Sequence, residues 1–265
     1  MSTGTDSDWG TAPDTGTATD TDTGTDLGAG ARAAASPHVL DNAAWASLSG
    51  PHSAFAEHPR GVPPGTARAA RYDADVSPFA ALADPADPRS WADLAVLVGA
   101  GRTTALSGVL TPPEGWVTVG SVAGVQLVDT SLRAEHAPEA VRLGPADVPE
   151  MLALIGRTKP GPFLPRTVEL GTYLGIRHRG RLVAMAGERL HPPGWTEISA
   201  VCTRPGYRGR GLATRLVRAV AAGIRERGEI PFLHTSAANT GAVRLYQSIG
   251  FTVRRRPFFM AVRAP

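Results

Sequence analysis

Apolar and polar positions repeat with regular periods through the second half of the chain. Some segments alternate at every second residue, as strands do, and others repeat every three to four residues, as helices do. In chain order the pattern predicts a helix at 148–155, strands at 173–177, 182–188 and 196–203, a helix at 211–227, a strand at 232–235, a helix at 240–249 and a strand pair or bent strand at 251–262. We therefore predict one domain of mixed strands and helices over residues 141–265.

The pattern is less regular between residues 37 and 135. Helical and strand-like runs alternate there, which indicates a small α/β domain over residues 37–135 without an obvious constellation of catalytic residue types. Residues 132–145, which contain proline and glycine, are predicted to be a connection. The predicted elements are a short helix near residue 45, an amphipathic helix at 90–98, and strands at 104–110, 116–119 and 125–128.

The first 36 residues cycle through Thr, Asp, Gly and Ala and contain one aromatic residue, Trp9. Such a segment cannot bury enough apolar surface to offset the chain entropy lost on folding, so we predict a disordered tail over residues 1–36. Its first 31 residues carry six Asp and no Lys or Arg, which leaves the rest of the chain with 27 basic against 18 acidic residues. That surplus favours an anionic ligand such as a phosphate-rich cofactor.

Composition also indicates the cellular compartment of the protein and the kinds of ligand it does not bind. The single cysteine, Cys202, cannot form an intramolecular disulfide, which is typical of a reducing cytoplasm. The sequence shows neither the features of a signal peptide nor an apolar stretch of bilayer length, so no membrane is predicted. The histidines lack metal-ligand spacing, and the run 254–256 of three arginines lacks interleaved aromatics, so neither a metal nor nucleic acid is predicted. We expect a cytoplasmic monomer or homodimer.

A loop rich in glycine and arginine lies between the predicted strand at 196–203 and the helix at 211–227. The start of a helix presents unpaired N–H groups and the positive end of the helix dipole, and Gly209 and Gly211 let the backbone approach phosphate oxygens. The lysine and hydroxyl residue of a Walker loop are absent. The dinucleotide fingerprint is absent too, because Thr214 stands where glycine or alanine is required. The loop predicts an anion site other than a nucleotide-hydrolysis or NAD site.

This loop resembles the pyrophosphate loop of the GNAT superfamily, R/Q-x-x-G-x-G/A, in Arg208, Gly209, Arg210, Gly211, Leu212 and Ala213. A second motif follows at the expected separation and resembles the superfamily's N-x-x-A-x-x-L-Y-x-x-x-G-F ending, in Asn239, Ala242, Leu245, Tyr246, Gly250 and Phe251. Within the superfamily, the chain resembles the glycine N-acyltransferase-like branch. That likeness implies that residues 37–135 are a degenerate GNAT-like half.

The resemblance implies a GNAT fold, with a mixed, mostly antiparallel central sheet flanked by helices, and acetyl-CoA or another acyl-CoA as co-substrate. The strands at 196–203 and 232–235 would be parallel and would splay apart to admit the pantetheine arm. Backbone N–H groups of residues 208–213 would hold the pyrophosphate, and Asn239 would cap the last helix or bind a pantetheine amide. The strand edge would pair with the other pantetheine amides at Val201, Cys202 and Thr203.

The resemblance also implies two catalytic side chains. An amine that attacks a thioester must be neutral, so a base or a water relay is useful, and Glu197 lies where some members place that base. The alternative for Glu197 is a strand carboxylate that faces solvent or pairs with Arg189, and Glu188 is the second candidate base. Tyr246 matches the general acid that protonates the departing thiolate, and its alternative role is packing on Phe251.

Three further groups belong to this expected cleft. The N–H of Val201 or Cys202, at a strand bulge, could bind the oxyanion of the tetrahedral intermediate. The Cys202 side chain has no partner pattern that marks a base for it, so we expect a small buried side chain rather than a nucleophile. Of the histidines, His234 is the one on a strand beside the cleft.

Together these residues predict an N-acyltransferase that moves an acetyl or other short acyl group from acyl-CoA to a primary amine by direct attack in a ternary complex. The alternative is a catalytically inactive acyl-CoA-binding or protein-interaction module with the same fold. The acceptor would lie against residues 160–172 and 191–195. Small amines, amino acids and peptide amino termini all remain open as acceptors.

Overall fold

The structure is a computed structural model that describes residues 38–63, 65–108 and 111–265. The predicted tail at 1–36 lies outside the described residues. The strands are β1 (Ala56–Glu57), β2 (Ala69–Tyr72), β3 (Ala80–Leu82), β4 (Thr103–Gly108), β5 (Val117–Asp129), β6 (Ala140–Leu143), β7 (Tyr173–His178), β8 (Arg181–Glu188), β9 (Trp195–Thr203), β10 (Ile230–Ser236), β11 (Phe251–Arg255) and β12 (Phe258–Arg263). The α-helices are α1 (Ala43–Leu48), α2 (Pro88–Val98), α3 (Val148–Thr158), α4 (Leu212–Glu226) and α5 (Thr240–Ser248).

A large sheet dominates the described part of the chain, with strand order β4-β12-β5-β10-β9-β8-β7-β6 and with β11 paired to β5. Its neighbouring strands are antiparallel except for β9 and β10, which run parallel. The prediction of a mixed, mostly antiparallel sheet flanked by helices is confirmed. Helix α4 connects the two parallel strands, as a crossover between parallel strands requires.

The two faces of this sheet carry different helices. Side chains of α4 and α5, including Leu216 and Tyr246, share one core with Ile198 and Leu233 of the parallel strands. Side chains of α3 share the other core with β7, β8 and β9, among them Met185. Alternation along each strand therefore separates an α4 face from an α3 face.

The division of the chain differs from the predicted boundary between residues 135 and 141. Strands β4 and β5 belong to the same sheet as the C-terminal strands, and residues His38–Pro265 form one compact unit. β5 is one long strand rather than two short ones, because it pairs with β12 along its first part and with β10 and β11 along its second. The predicted connection at 132–145 contains β6, which forms an edge of the sheet.

The region before β4 forms a small layer of its own, a sheet of β1, β2 and β3 together with α1 and α2. Asp87 accepts a hydrogen bond from the Arg89 N–H and caps α2, which starts with a proline at its first position. The core of this layer includes Trp91 and Leu94 and continues into Leu106 of β4 and Val262 of β12. The layer is therefore joined to the large sheet by shared apolar packing.

A glycine on β8 lies directly under an aromatic ring. Gly187 pairs with Tyr173 across the β7–β8 ladder, and a Cβ at residue 187 would overlap the Tyr173 ring. We expect Gly187→Ala to lower the free energy of unfolding by roughly 1–3 kcal/mol, because Tyr173 is fully buried and cannot move away. Urea unfolding followed by circular dichroism measures this change.

Gly223→Ala is the matched control, because a Cβ there meets no heavy atom within 4 Å and the residue lies inside α4. It is expected to raise stability by about 0.5–1 kcal/mol through helix propensity. Equal stability of the two variants would contradict the packing argument at residue 187.

Candidate functional site

The parallel strands β9 and β10 pair over only four residues. Their register runs from Trp195 opposite Ile230 to Ile198 opposite Leu233, and no further pair follows among the described residues. Beyond it, β9 continues along β8 and β10 continues along β5. The two strands therefore diverge after Ile198 and Leu233, which is the opening that the resemblance implied.

Strand β9 carries a bulge on its diverging part. Met185 of β8 lies opposite Cys202 and Gly187 opposite Ser199, so β9 has one residue more than β8 between these pairs. Ala200 takes up the extra residue with φ of 53°, a left-handed conformation that is uncommon for a residue with a side chain. The bulge lies beside the N–H groups of Val201 and Cys202, where the sequence predicted an oxyanion donor.

The glycine loop has the geometry of an anion site. Gly209 and Gly211 have φ of 75° and 72°, and a Cβ added to either would meet no heavy atom within 4 Å. Gly211 is the N-cap of α4 and has no side chain to bond to the first-turn N–H groups, which have no partners inside the helix. The loop thus combines open space, free N–H donors and the positive end of a 15-residue helix.

The arginines of this loop stay close to the backbone. Arg208 Nε donates to the Thr203 carbonyl at 3.4 Å, and the Arg210 guanidinium lies 5.0 Å from the centre of the Tyr207 ring. The Thr203 hydroxyl is buried and has no hydrogen-bond partner among the described residues. Free N–H groups, two guanidinium groups and an unpaired hydroxyl are a donor set that suits a pyrophosphate and its neighbouring polar atoms.

Helix α5 supplies Asn239 and Tyr246. Asn239 Oδ1 accepts from the Ala242 N–H at 3.2 Å and caps α5, one of its two predicted roles. Tyr246 packs edge-on against Phe251 with ring centres 6.1 Å apart. Burial, with a smaller contribution from the Cys202 thiol, raises the pKa of Tyr246 to about 12. Its hydroxyl is therefore protonated at neutral pH, as a general acid must be before it acts.

Glu197 is fully buried and all of its contacts are within the protein. Arg189 donates to it through Nε at 2.9 Å and Nη2 at 2.7 Å, and His234 Nδ1 lies 2.8 Å from Oε1. Burial by itself would raise the pKa of Glu197, but the Arg189 guanidinium and His234 hold this pKa below its ordinary range. The pairing with Arg189 that the sequence left open is therefore present, and solvent exposure is not.

The small N-terminal layer covers this ion pair. Arg189 lies 5.2 Å from the centre of the Phe79 ring, and Tyr72 is buried in the same layer. The same layer contacts the two segments predicted to line the acceptor. Thr167 Oγ1 donates to the Val76 carbonyl at 2.7 Å, and the His191 N–H donates to Ser47 Oγ at 2.9 Å.

Glu188, the second candidate base, is also engaged. Arg227 Nη2 donates to its Oε1 at 3.0 Å, and the Thr172 N–H donates to its Oε2 at 3.1 Å. Glu188 lies opposite Ile198, on the paired side of the point where β9 and β10 diverge. Both of its carboxylate oxygens therefore already accept hydrogen bonds.

The structure also shows the surroundings of the cysteine and of the arginine run that the sequence analysis named. Cys202 is buried, and this burial raises the pKa of its thiol to about 11, which makes a thiolate nucleophile unfavourable at neutral pH. Arg254 and Arg255 form ion pairs with Asp41. Over residues 38–63, 65–108 and 111–265, no cluster of three potential metal-ligating side chains is present, and no helix is long and apolar enough to span a bilayer.

Sequence reasoning named His234 but missed its partners. Arg189 contacts Glu197 on one side of the histidine, and Gln126 and Arg254 continue the hydrogen bonds on the other. Gln126 belongs to β5 and lies 108 positions from His234 in the chain. In the sequence, the one feature that could have pointed to Gln126 is its polarity, because it interrupts the apolar run of β5.

Comparison with known proteins gives a consistent picture. The family model described as FR47-like protein matches residues 173–260. A crystal structure of a GNAT-family acetyltransferase from Novosphingobium aromaticivorans is 39% identical, with a TM-score of 0.76, and the match covers 86% of this chain and 100% of that one. A GCN5-related N-acetyltransferase from Kribbella flavida, at 19% identity and a TM-score of 0.54, shares the fold.

Two curated proteins match the C-terminal part of the chain. One is the N-alpha-acetyltransferase RimI of Mycobacterium tuberculosis, 38% identical over 90 residues, which are 32% of this chain and 56% of that protein. The other is the mycothiol acetyltransferase of Thermobispora bispora, 41% identical over 83 residues, which are 31% of this chain and 27% of that protein. The matches thus span about half and about a quarter of these relatives. The glycine N-acyltransferase-like branch stays a prediction.

The buried ion pair makes a strong prediction for stability. Glu197→Gln is expected to lower the free energy of unfolding by roughly 3–5 kcal/mol, because it leaves the Arg189 charge buried without a carboxylate. Glu226→Gln is the matched control, since Glu226 pairs with His136 on the surface and its side chain is 64% exposed. Its effect should stay within about 1 kcal/mol. Urea unfolding at neutral pH measures both, and similar effects would contradict the buried pairing.

The lowered pKa of Glu197 also predicts a pH dependence. The pair contributes its full stability above the unfolded-state pKa of about 4.3 and loses that contribution as pH falls towards the folded-state pKa. Wild type should therefore lose stability more steeply than Glu197→Gln below about pH 4.5. Parallel unfolding curves measured down to about pH 3.5 test this, and equal slopes would show that Glu197 titrates normally.

Proposed function

The chain belongs to the GNAT family of acetyltransferases, and on that premise we propose that it transfers an acetyl or other short acyl group from acyl-CoA to a primary amine. Transfer occurs by direct attack of the amine in a ternary complex. The observation that carries the proposal is the divergence of β9 and β10 directly before the glycine loop. An opening between parallel strands that leads to a helix N-terminus accommodates an extended ligand with a phosphate end.

In this proposal the backbone N–H groups of Gly209, Arg210, Gly211, Leu212 and Ala213 hold the pyrophosphate of the acyl-CoA, whereas the predicted Arg208 N–H already donates to the Pro205 carbonyl at 3.2 Å. The open space at both glycines and the free first turn of α4 support that role. The edge of β9 from Val201 to Thr203, which lacks a β10 partner, pairs with the pantetheine amides. Asn239 is already bonded as a helix cap, so any contact it makes with pantetheine uses its amide nitrogen.

The chemistry needs charge stabilisation at two atoms. The amine nitrogen forms a bond to the thioester carbonyl carbon, and the N–H of Val201 or Cys202 at the bulge donates to the resulting oxyanion. When the carbon–sulfur bond breaks, the Tyr246 hydroxyl protonates the CoA thiolate. Its pKa of about 12 keeps the hydroxyl protonated at neutral pH, so that it can donate a hydrogen bond to the sulfur and pass its proton as negative charge develops there. Tyr246 shares its core with Ile198 and Leu233, the last paired residues of β9 and β10, which supports its place beside the cleft.

The remaining step is the loss of a proton from the acceptor ammonium, because only the neutral amine can attack the thioester. Glu197 is a weak base, because both of its oxygens accept hydrogen bonds and its pKa is lowered. Glu188 is bonded to Arg227 and Thr172. We assign this proton to a water relay and revise Glu197 from general base to a residue that holds Arg189 and His234 in place.

The identity of the acceptor is to be determined by experiment. The names of the curated relatives, an N-alpha-acetyltransferase and a mycothiol acetyltransferase, make peptides with free amino termini and small-molecule amines the first acceptors to test. A cytoplasmic location and a monomeric or homodimeric state belong to the same proposal. Thiol release from acetyl-CoA and from longer acyl-CoAs, measured against such a panel, identifies the acceptor and the acyl length.

The cofactor site is tested at the helix N-cap. Gly211→Asp is expected to raise the Kd for acetyl-CoA by tenfold or more, because it places a side chain and a negative charge where the phosphates would lie. Gly144→Asp adds the same charge before a different helix and should leave the Kd unchanged. Isothermal titration calorimetry measures both, and unchanged affinity in Gly211→Asp would sink the assignment of this loop.

The general acid is tested with Tyr246→Phe. Loss of the hydroxyl is expected to lower kcat by about 10²-fold or more, while the KM for acetyl-CoA changes little. Tyr207→Phe, a change in the loop tyrosine under Arg210, is the control. Steady-state rates across pH decide the matter: if Tyr246→Phe turns over like wild type at every pH, another group protonates the thiolate.

A further inference from the structure

A continuous chain of side-chain hydrogen bonds, buried at Glu197 and partly exposed at Asp41, crosses the sheet where β9 and β10 diverge. His234 Nδ1 lies 2.8 Å from Glu197 Oε1, and His234 Nε2 lies 3.0 Å from Gln126 Nε2. Gln126 Oε1 accepts from Arg254 Nη1 at 2.8 Å, and Arg254 Nη2 donates to Asp41 Oδ1 at 2.7 Å. The chain thus connects β9, β10, β5 and β11 with the segment that precedes α1.

The partners fix the proton positions along this chain. A guanidinium only donates, so the Gln126 atom that faces Arg254 is the amide oxygen, and the amide nitrogen faces His234. His234 Nε2 must then accept, which leaves the ring proton on Nδ1, where it is donated to the Glu197 carboxylate. Gln126 Nε2 also donates to the Leu40 carbonyl at 2.9 Å. Both ring nitrogens are therefore occupied in a neutral imidazole.

The position of His234 in the β5–β10 ladder shows which strands this series of hydrogen bonds joins. His234 is the first residue of β10 after the last pair with β9, and it lies opposite Gln126 in the β5–β10 ladder. Its bond to Glu197, which lies opposite Phe232 in the paired segment, is thus a side-chain link across β9 and β10 at the point where their backbone pairing ends. The His234 side chain is 4% exposed and the Glu197 side chain 0%, so water cannot replace this link easily.

We propose that His234 is a positioning residue for the acyl-CoA cleft. It sets the angle at which β9 leaves β10, and with it the position of the unpaired β9 edge and of the bulge at Ala200. The inference rests on the proposed function, since it assigns the β9 edge to pantetheine. Because its two nitrogens are already bonded, His234 acts through β9 and does not exchange a proton with the amine.

The substitutions separate the two ring nitrogens. His234→Asn keeps a donor near the Nδ1 position, which faces Glu197, and His234→Gln keeps an acceptor near the Nε2 position, which faces Gln126. His234→Ala removes both. His136→Ala is the control for loss of a histidine, because His136 is exposed and pairs with Glu226 on the surface.

Binding is measured by calorimetry with two probes. Acetyl-CoA reaches both the glycine loop and the β9 edge, whereas adenosine 3′,5′-bisphosphate lacks the pantetheine arm. His234→Ala is expected to raise the Kd for acetyl-CoA by about tenfold and to leave the Kd for adenosine 3′,5′-bisphosphate unchanged. His234→Asn should recover most of the loss, because the link from β10 to Glu197 is restored.

Three results would overturn the inference. The first is wild-type affinity for acetyl-CoA in His234→Ala, and the second is equal weakening of both probes, which indicates general loss of structure. The third is a His234→Asn enzyme as inactive as His234→Ala whose pH–rate profile has lost its acidic limb, because His234 would then be a proton acceptor. An unchanged limb with recovered binding supports positioning.

Two measurements keep the test decisive if variants are unstable or wild type is inactive. Nitrogen-15 NMR of the wild-type histidines is expected to find His234 protonated on Nδ1 alone, and protonation on Nε2 would overturn the hydrogen-bond assignment. Failure of wild type to bind acetyl-CoA at all would instead refute the proposed function. The two failures are thereby distinguishable.

Discussion

Strand β9 has two neighbouring strands, and only one of them follows it to its end. It pairs with β8 to its end at Thr203, but its parallel partner β10 follows it only as far as Ile198 and then stays with β5. A strand that loses one neighbour exposes a row of unpaired N–H and C=O groups, which in water is a liability and beside a ligand is a binding surface. The bulge at Ala200, the glycine loop and the start of α4 all follow this divergence in the chain, so their usefulness as a site depends on it.

The divergence needs support from side chains because backbone pairing has ended. The hydrogen bond between His234 and Glu197 spans β9 and β10 there, and Arg189 holds Glu197 in an ion pair that is too deeply buried to be stable without a cover. The layer of β1–β3, α1 and α2 provides the cover with Phe79 and Tyr72. This explains why a region without evident catalytic residues is packed so closely against the site: it keeps water from the charges that hold β9.

The sequence predicted the features whose cause is local. The glycine loop, the cap at Asn239 and the alternation of β7 and β8 each depend on residues within a few positions, so a single sequence is enough to find them. It did not predict the domain boundary, because β5 shows its own alternation but not that its partners lie near the C-terminus. Nor did it decide the role of Glu197. A carboxylate in a strand has the same appearance whether solvent or Arg189 faces it, and only the fold distinguishes the two.

The long strand β5 also constrains how the chain acquires its structure during synthesis. β5 ends at Asp129, and its partners β10, β11 and β12 begin at Ile230, Phe251 and Phe258, about 100 or more residues later. The middle of the sheet therefore cannot close until nearly the whole protein has left the ribosome, and until then both edges of β5 are open to intermolecular pairing. Chaperone demand and aggregation during expression should thus arise from the interval before the last strands emerge.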